Sequence, residues 1–238
     1  MSECTLSERR FWEHLGVRAG KQGHAHPKVQ TADPRLALEV GFLIAVIVVI
    51  QLALPDELAV GPIPAWAIPV IEVIGLPAGL LITRQLGVHP RRIQTLIGLY
   101  LGFLVLASVV NAASLFISLL EGDQDSADYL LFAGFGVLVI NVLSFALVYW
   151  WVDAGGPVAR LTATNDQRDF LYPQQGWNEP WQPKLADYCF TAYTNIIAFS
   201  PTDTMPLTHR AKFMFTVQSS VSLVTVLVVL SRAINLIP

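Results

Sequence analysis

Residues 36–54 read LALEVGFLIAVIVVIQLAL, and from Phe42 to Ile50 every side chain is apolar. A helix rises about 1.5 Å per residue, so a run of this length covers the roughly 30 Å hydrocarbon core of a bilayer. Pro55, Asp56 and Glu57 close it with a helix breaker and two charges. A water-soluble core seldom needs so long an unbroken apolar run. The segment therefore points to a helix that crosses lipid.

Working outward, similar runs cover residues 93–120, 129–152 and 212–237. Asn111 and Asn141 sit inside the first two, and Tyr149-Trp150-Trp151 ends the second as an interfacial aromatic belt. Gly134 and Gly136 are placed to let helices approach closely. A further span at 63–82 carries Pro64, Pro69 and Pro77. Each proline removes an internal hydrogen bond, so this helix is expected to kink or to be discontinuous. Glu72 lies at its centre, and a carboxylate there is expected to face the protein interior, protonated or paired.

Composition agrees. Of 238 residues, 53% are hydrophobic and 14% charged, against about 25% charged in soluble domains. The fold class is all-α: a polytopic helical membrane protein of about five transmembrane helices plus one re-entrant or interfacial half-helix. Four regions follow: a basic arm (1–35), a four-helix membrane region (36–152), a polar loop (153–185), and a half-helix with the last span (186–238).

The arm carries Arg9, Arg10, Arg18, Lys21, Lys28 and Arg35, and no cleavable signal peptide is visible in it. Leu6, Phe11, Trp12 and Leu15 suit a short amphipathic helix on anionic lipid, and a solvated tail is the alternative. Cys4 and Cys189 read as two free thiols, and the pair His24 and His26 is too sparse for a metal site. No metal or cofactor is expected. With the N-terminus in the cytoplasm, every Lys and Arg except Arg232 falls on that side. Loops 55–62 and 121–128, outside, hold none.

Residues 186–198 are too few to span, and the Ser/Pro/Thr/Asp stretch after them cannot continue a helix. Irregular backbone at membrane depth is tolerated only inside protein or against water. A half-helix, a turn and a full helix together are the architecture of a pore or binding loop.

The stretch from Tyr193 through Asn195, Ser200, Pro201, Thr202, Asp203, Thr204 and Pro206 to Thr208 resembles the pore loop of two-helix potassium channels. In that family a pore helix leads into Thr-Val-Gly-Tyr-Gly-Asp, with a proline three residues beyond the aspartate. Setting Asp203 on that aspartate puts Pro206 on the proline and residues 198–202 on the filter. The C-terminal half also resembles a domain-of-unknown-function family of small bacterial membrane proteins distantly related to those channels. Its members share a Ser/Thr-Asp-Thr stretch, basic residues and a last helix.

Two departures matter. Ser200 and Thr202 replace the filter glycines and Pro201 the aromatic residue, which argues against rings of carbonyls as ligands. The expected ion ligands are instead the hydroxyls of Ser200, Thr202 and Thr204 and the Asp203 carboxylate. Those channels also open their filter outward, whereas the basic residues place this loop inside. Either the loop enters from the cytoplasm or one span, the proline-rich one first, is misassigned.

A plainer reading makes the same stretch a helix start, with Asp203 or Thr204 as cap and Pro206 in the first turn. Further along, Gln218, Ser222 and neighbouring Ser and Thr residues line one region at helical spacing, for pore lining or for helix packing.

The leading expectation is a channel-like homo-oligomer in the cell membrane, contacting lipid and passing a monovalent cation. One alternative is a non-conducting scaffold or accessory subunit. Another is a small transporter using Glu72 and Asp203 as proton or cation sites. No enzyme motif is present, and nucleic acid is not an expected partner.

Overall fold

The computed structural model describes residues 34–54, 66–85, 90–121, 127–160, 163–164, 167–176, 181–197 and 204–236. The basic arm with Cys4, His24 and His26, the loop 55–62, and Ser200, Thr202 and Asp203 lie outside the described residues. The helices are α1 (Pro34–Ala53), α2 (Ala67–Gln85), α3 (Pro90–Glu121), α4 (Ala127–Val152), α5 (Pro157–Arg160), α6 (Leu185–Ile197) and α7 (His209–Leu236). Two short strands, β1 (Phe170–Leu171) and β2 (Met205–Pro206), pair antiparallel, with Phe170 opposite Pro206 and Leu171 opposite Met205.

Four helical stretches are long and apolar enough to cross a membrane: Arg35–Ala53, Arg92–Ser118, Leu131–Gly155 and His209–Ser231. Their outward faces carry Leu38, Phe42, Leu99, Leu106, Phe132, Phe135, Phe213 and Leu227, all exposed. In water such a surface would drive association, whereas in lipid it is the solvated face. The chain is a multi-pass helical membrane protein.

The proline-rich segment is not one of those four. It is helical without a break over Ala67–Gln85, where a discontinuous helix was one of the expectations. Pro69 falls in the first turn, where its missing N–H would have no intrahelical acceptor anyway. The Trp66 carbonyl instead accepts from Val70 N–H at 3.1 Å.

Helix α4 is the hub, packing against α3, α6 and α7. Its glycines set how close the neighbours come. A Cβ on Gly134 would stand 2.6 Å from a Val229 methyl on α7, and one on Gly136 would lie 3.2 Å from Ile50 and Leu54. At the other end of α4, Phe170 enters the bundle and is fully buried. Its ring lies 5.3 Å from Tyr149 and 5.7 Å from Phe215, between centroids. The loop thus contributes core, and β1 is the point of insertion.

Replacing Gly134 by Ala should overpack the α4–α7 contact and cost about 1–3 kcal/mol. Gly102 has nothing within 4 Å of a built Cβ, so Gly102→Ala should be neutral or gain up to about 1 kcal/mol from helix propensity. Thermal unfolding in detergent separates the two. Equal midpoints would show that α4 and α7 do not pack as described.

Candidate functional site

The half-helix expected over 186–198 is α6, and it has 13 residues, roughly 20 Å of helix. Asp187 fixes its start by accepting a hydrogen bond from Lys184 N–H at 2.7 Å. A carboxylate reaching back to the cap backbone also favours the positive end of the helix dipole. Tyr188, Thr191, Ala192 and Asn195 are buried, while Phe190, Tyr193 and Ile197 are exposed.

What clamps α6 is a set of amide hydrogen bonds. Gln218 on α7 is fully buried. Its Oε1 accepts from the Tyr149 hydroxyl at 2.6 Å and from Asn195 Nδ2 at 2.8 Å. Its Nε2 donates to the Ala192 carbonyl at 3.1 Å. Ser219 Oγ closes the set by donating to Asn195 Oδ1 at 3.0 Å. One glutamine therefore ties α4, α6 and α7 together. Leaving any of these groups unpaired in an apolar interior would cost about 1–3 kcal/mol. About one turn further along α7, Ser222 Oγ donates to Asn141 Oδ1 on α4 at 3.2 Å. Of the residues singled out in the sequence, Asn195 and Gln218 are brought together, and Ser222 joins a different helix. All three are buried within the single chain.

A second cluster joins the turn after α4 to Tyr188 on α6 and to the start of α7. The turn after α4 runs through Ala154, Gly155 and Gly156, all with positive φ. The two glycines take this conformation without a Cβ penalty. Ala154 does not, and its N–H is held by Asp169 Oδ2 at 3.0 Å. Asp169 is completely buried. Its Oδ1 accepts from Thr208 Oγ1 and Arg210 Nε, its Oδ2 from Arg210 Nη2, and its carbonyl from Leu207 N–H. This is a two-pronged guanidinium–carboxylate pair.

Asp153, equally buried, accepts from Asp169 N–H at 2.9 Å and from the Tyr188 hydroxyl at 2.6 Å. Arg160 donates to the Tyr188 oxygen and lies 3.6 Å from Asp153 Oδ2. Burial pushes the Tyr188 phenol well up, and the Asp153 carboxylate adds to that. The hydroxyl therefore keeps its proton and stays a donor. Burial likewise raises the Cys189 thiol, which is unpaired in any disulfide.

Thr204 is buried, and its Oγ1 accepts from Thr191 Oγ1 at 3.1 Å. The cap of α7 is Thr208, whose Oγ1 accepts from Ala211 N–H at 3.3 Å. Pro206 lies in β2, not in the first helical turn. The plainer helix-start reading is corrected on both points. Asp169 provides the reason, since Thr208 caps α7 and donates to that carboxylate at once.

Glu72 belongs elsewhere, between α1 and α3. Its Oε1 accepts from Gln51 Nε2 at 3.0 Å, and its carbonyl accepts from the Tyr100 hydroxyl at 2.8 Å. Among the described residues it shares no partner with the α6 region.

Sequence reasoning passed over Asp153, Arg160 and Asp169, having read 153–185 only as a polar loop, and over Tyr188 and Arg210 beyond it. Of these, Asp153 and Asp169 alone carried a visible signal, as acidic residues within a segment placed on the basic side.

Tyr188→Phe should cost about 1–3 kcal/mol by stripping a donor from Asp153 and an acceptor from Arg160. Asp169→Ala should cost more, toward the low end of about 3–5 kcal/mol, because half-exposed Arg210 regains water. Denaturation midpoints, with limited proteolysis between residues 153 and 176, give the order. Two silent variants would show that this cluster does not hold the loop. Set against family models, curated proteins and solved structures, the chain matches none, and its function has to be read from these side chains.

Proposed function

We propose that the chain is a channel-like protein of the cell membrane, N-terminus in the cytoplasm, passing monovalent cations along the 198–204 loop within a homo-oligomer. One observation carries the reading. The short helix α6, which precedes that segment in the chain, is clamped by buried amides, and Thr208 and Arg210, which follow it, are bound by a buried carboxylate. The carbonyl end of a helix bears partial negative charge. The segment following that end offers the hydroxyls of Ser200, Thr202 and Thr204 and the Asp203 carboxylate. Oxygen ligands of this kind, at a half-helix terminus, suit a hard monovalent cation. The replaced glycines make a carbonyl filter selective for potassium a poor description.

A second reading is a non-conducting scaffold or accessory subunit. It is favoured by the internal use of Asn195, Gln218 and Ser222, whose polar atoms bond other helices of the same chain.

Cation flux into liposomes holding the purified chain separates the two. Wild-type flux should fall about tenfold in Asp203→Asn, which corresponds to roughly 1.4 kcal/mol at the ion site, and change selectivity in Thr202→Ala. Absence of flux under every gradient and voltage, or a monomer in gentle detergent, would overturn conduction and leave the scaffold reading.

A further inference from the structure

Glu72 is almost completely buried, yet it lies on a helix whose neighbouring residues Val70, Ile71, Val73 and Ile74 are exposed. The helix shows apolar side chains outward and turns its one carboxylate in. Inside, Gln51 Nε2 is its single side-chain donor among the described residues, at 3.0 Å. Glu72 Oε2 and Gln51 Oε1 are both buried with no hydrogen-bond partner among the described residues. Among the described residues no Lys, Arg or His pairs with it, the two ion pairs lying at Asp153 and Asp169.

A carboxylate in an apolar interior with one neutral donor is costly by several kcal/mol. The two empty acceptors show what is missing. An amide and a carboxylate together offer one donor-bearing nitrogen and three oxygens that only accept. Place a proton on Oε2 and the carboxyl becomes a donor as well, so that acid and amide are complementary.

We infer that Glu72 is a proton-binding site, occupied in this packing, with Gln51 as its amide partner. The inference rests on α1, α2 and α3 and is independent of conduction at the 198–204 loop. The titratable group facing Glu72 is Tyr100 on α3, whose hydroxyl donates to the Glu72 carbonyl and leaves the carboxyl alone. Glu39 on α1 lies three turns, roughly 18 Å, from Gln51. Arg92 on α3 lies roughly 12 Å along the helix from Tyr100.

Proton release then leaves a charge with a single donor, so it is favoured only when α2 shifts to give the carboxylate water. Protonation and the position of α2 are thereby linked, each biasing the other.

N,N′-dicyclohexylcarbodiimide tests this on the full chain in lipid vesicles. The reagent takes the acid proton on nitrogen while the carboxylate oxygen adds to its central carbon, and the adduct rearranges to a stable acylurea. Peptide mass spectrometry should find it on Glu72. Labelling should fall about tenfold per pH unit once pH exceeds the site's pKa. In Gln51→Leu the ionised form loses its donor, and labelling should persist to higher pH. Infrared spectra should show a protonated-carboxyl band at neutral pH that is absent from Glu72→Gln, which detects the proton even if the reagent cannot reach it. Absence of both label and band would overturn the inference. Protection by sodium but not by N-methylglucamine would do so too, making the site one for a metal cation.

Discussion

A carboxylate removed from water must be met by donors on every side, and Asp169 is where this protein accepts that constraint. Its oxygens receive the Arg210 guanidinium twice, the Thr208 hydroxyl and the Ala154 N–H. These donors belong to the turn after α4 and to the start of α7. One ion therefore sets the height of the last helix against α4, and the left-handed Ala154 is tolerable because its N–H is needed there. Phe170, next in the chain, is pulled into the aromatic cluster as a result.

Above that ion the interior inverts the usual pattern of a soluble protein. Apolar side chains cover the outside, and the specific contacts inside are polar, with Gln218 on α7 bonding to α4 and α6 and Asn141 to Ser222. Lipid tails are as apolar as leucine, so burying leucine between helices gains little there. Shape supplies the rest, most tightly where Gly134 meets Val229. Uniqueness of packing depends on these few amides and on one glycine contact more than on total apolar area.

Four of the expected spans were legible because their length is itself the physical requirement. The short helix at 185–197 was legible for the opposite reason, its apolar run being too short to cross. Glu72 turning inward was also readable, since a carboxylate in an apolar run has one tolerable direction. The ion pairs were not readable. Asp169 and Arg210 lie 41 residues apart, and no periodicity links a loop residue to its partner on a distant helix. The α7 cap was hidden by better-looking candidates upstream, and the strand at β2 by a proline that belongs at a strand edge.

The separation between partners also has a consequence in time. Tyr149 and Asn141 bond to residues 69 and 81 positions later. At roughly 5–20 residues per second of synthesis, α4 waits several seconds in the membrane before the groups that satisfy its polar atoms exist. Over that interval it is a nascent helix with unanswered amide and phenol groups, open to lipid headgroups, water or another membrane helix. Biogenesis of this protein thus carries a built-in delay before the chain's own last helix can answer α4.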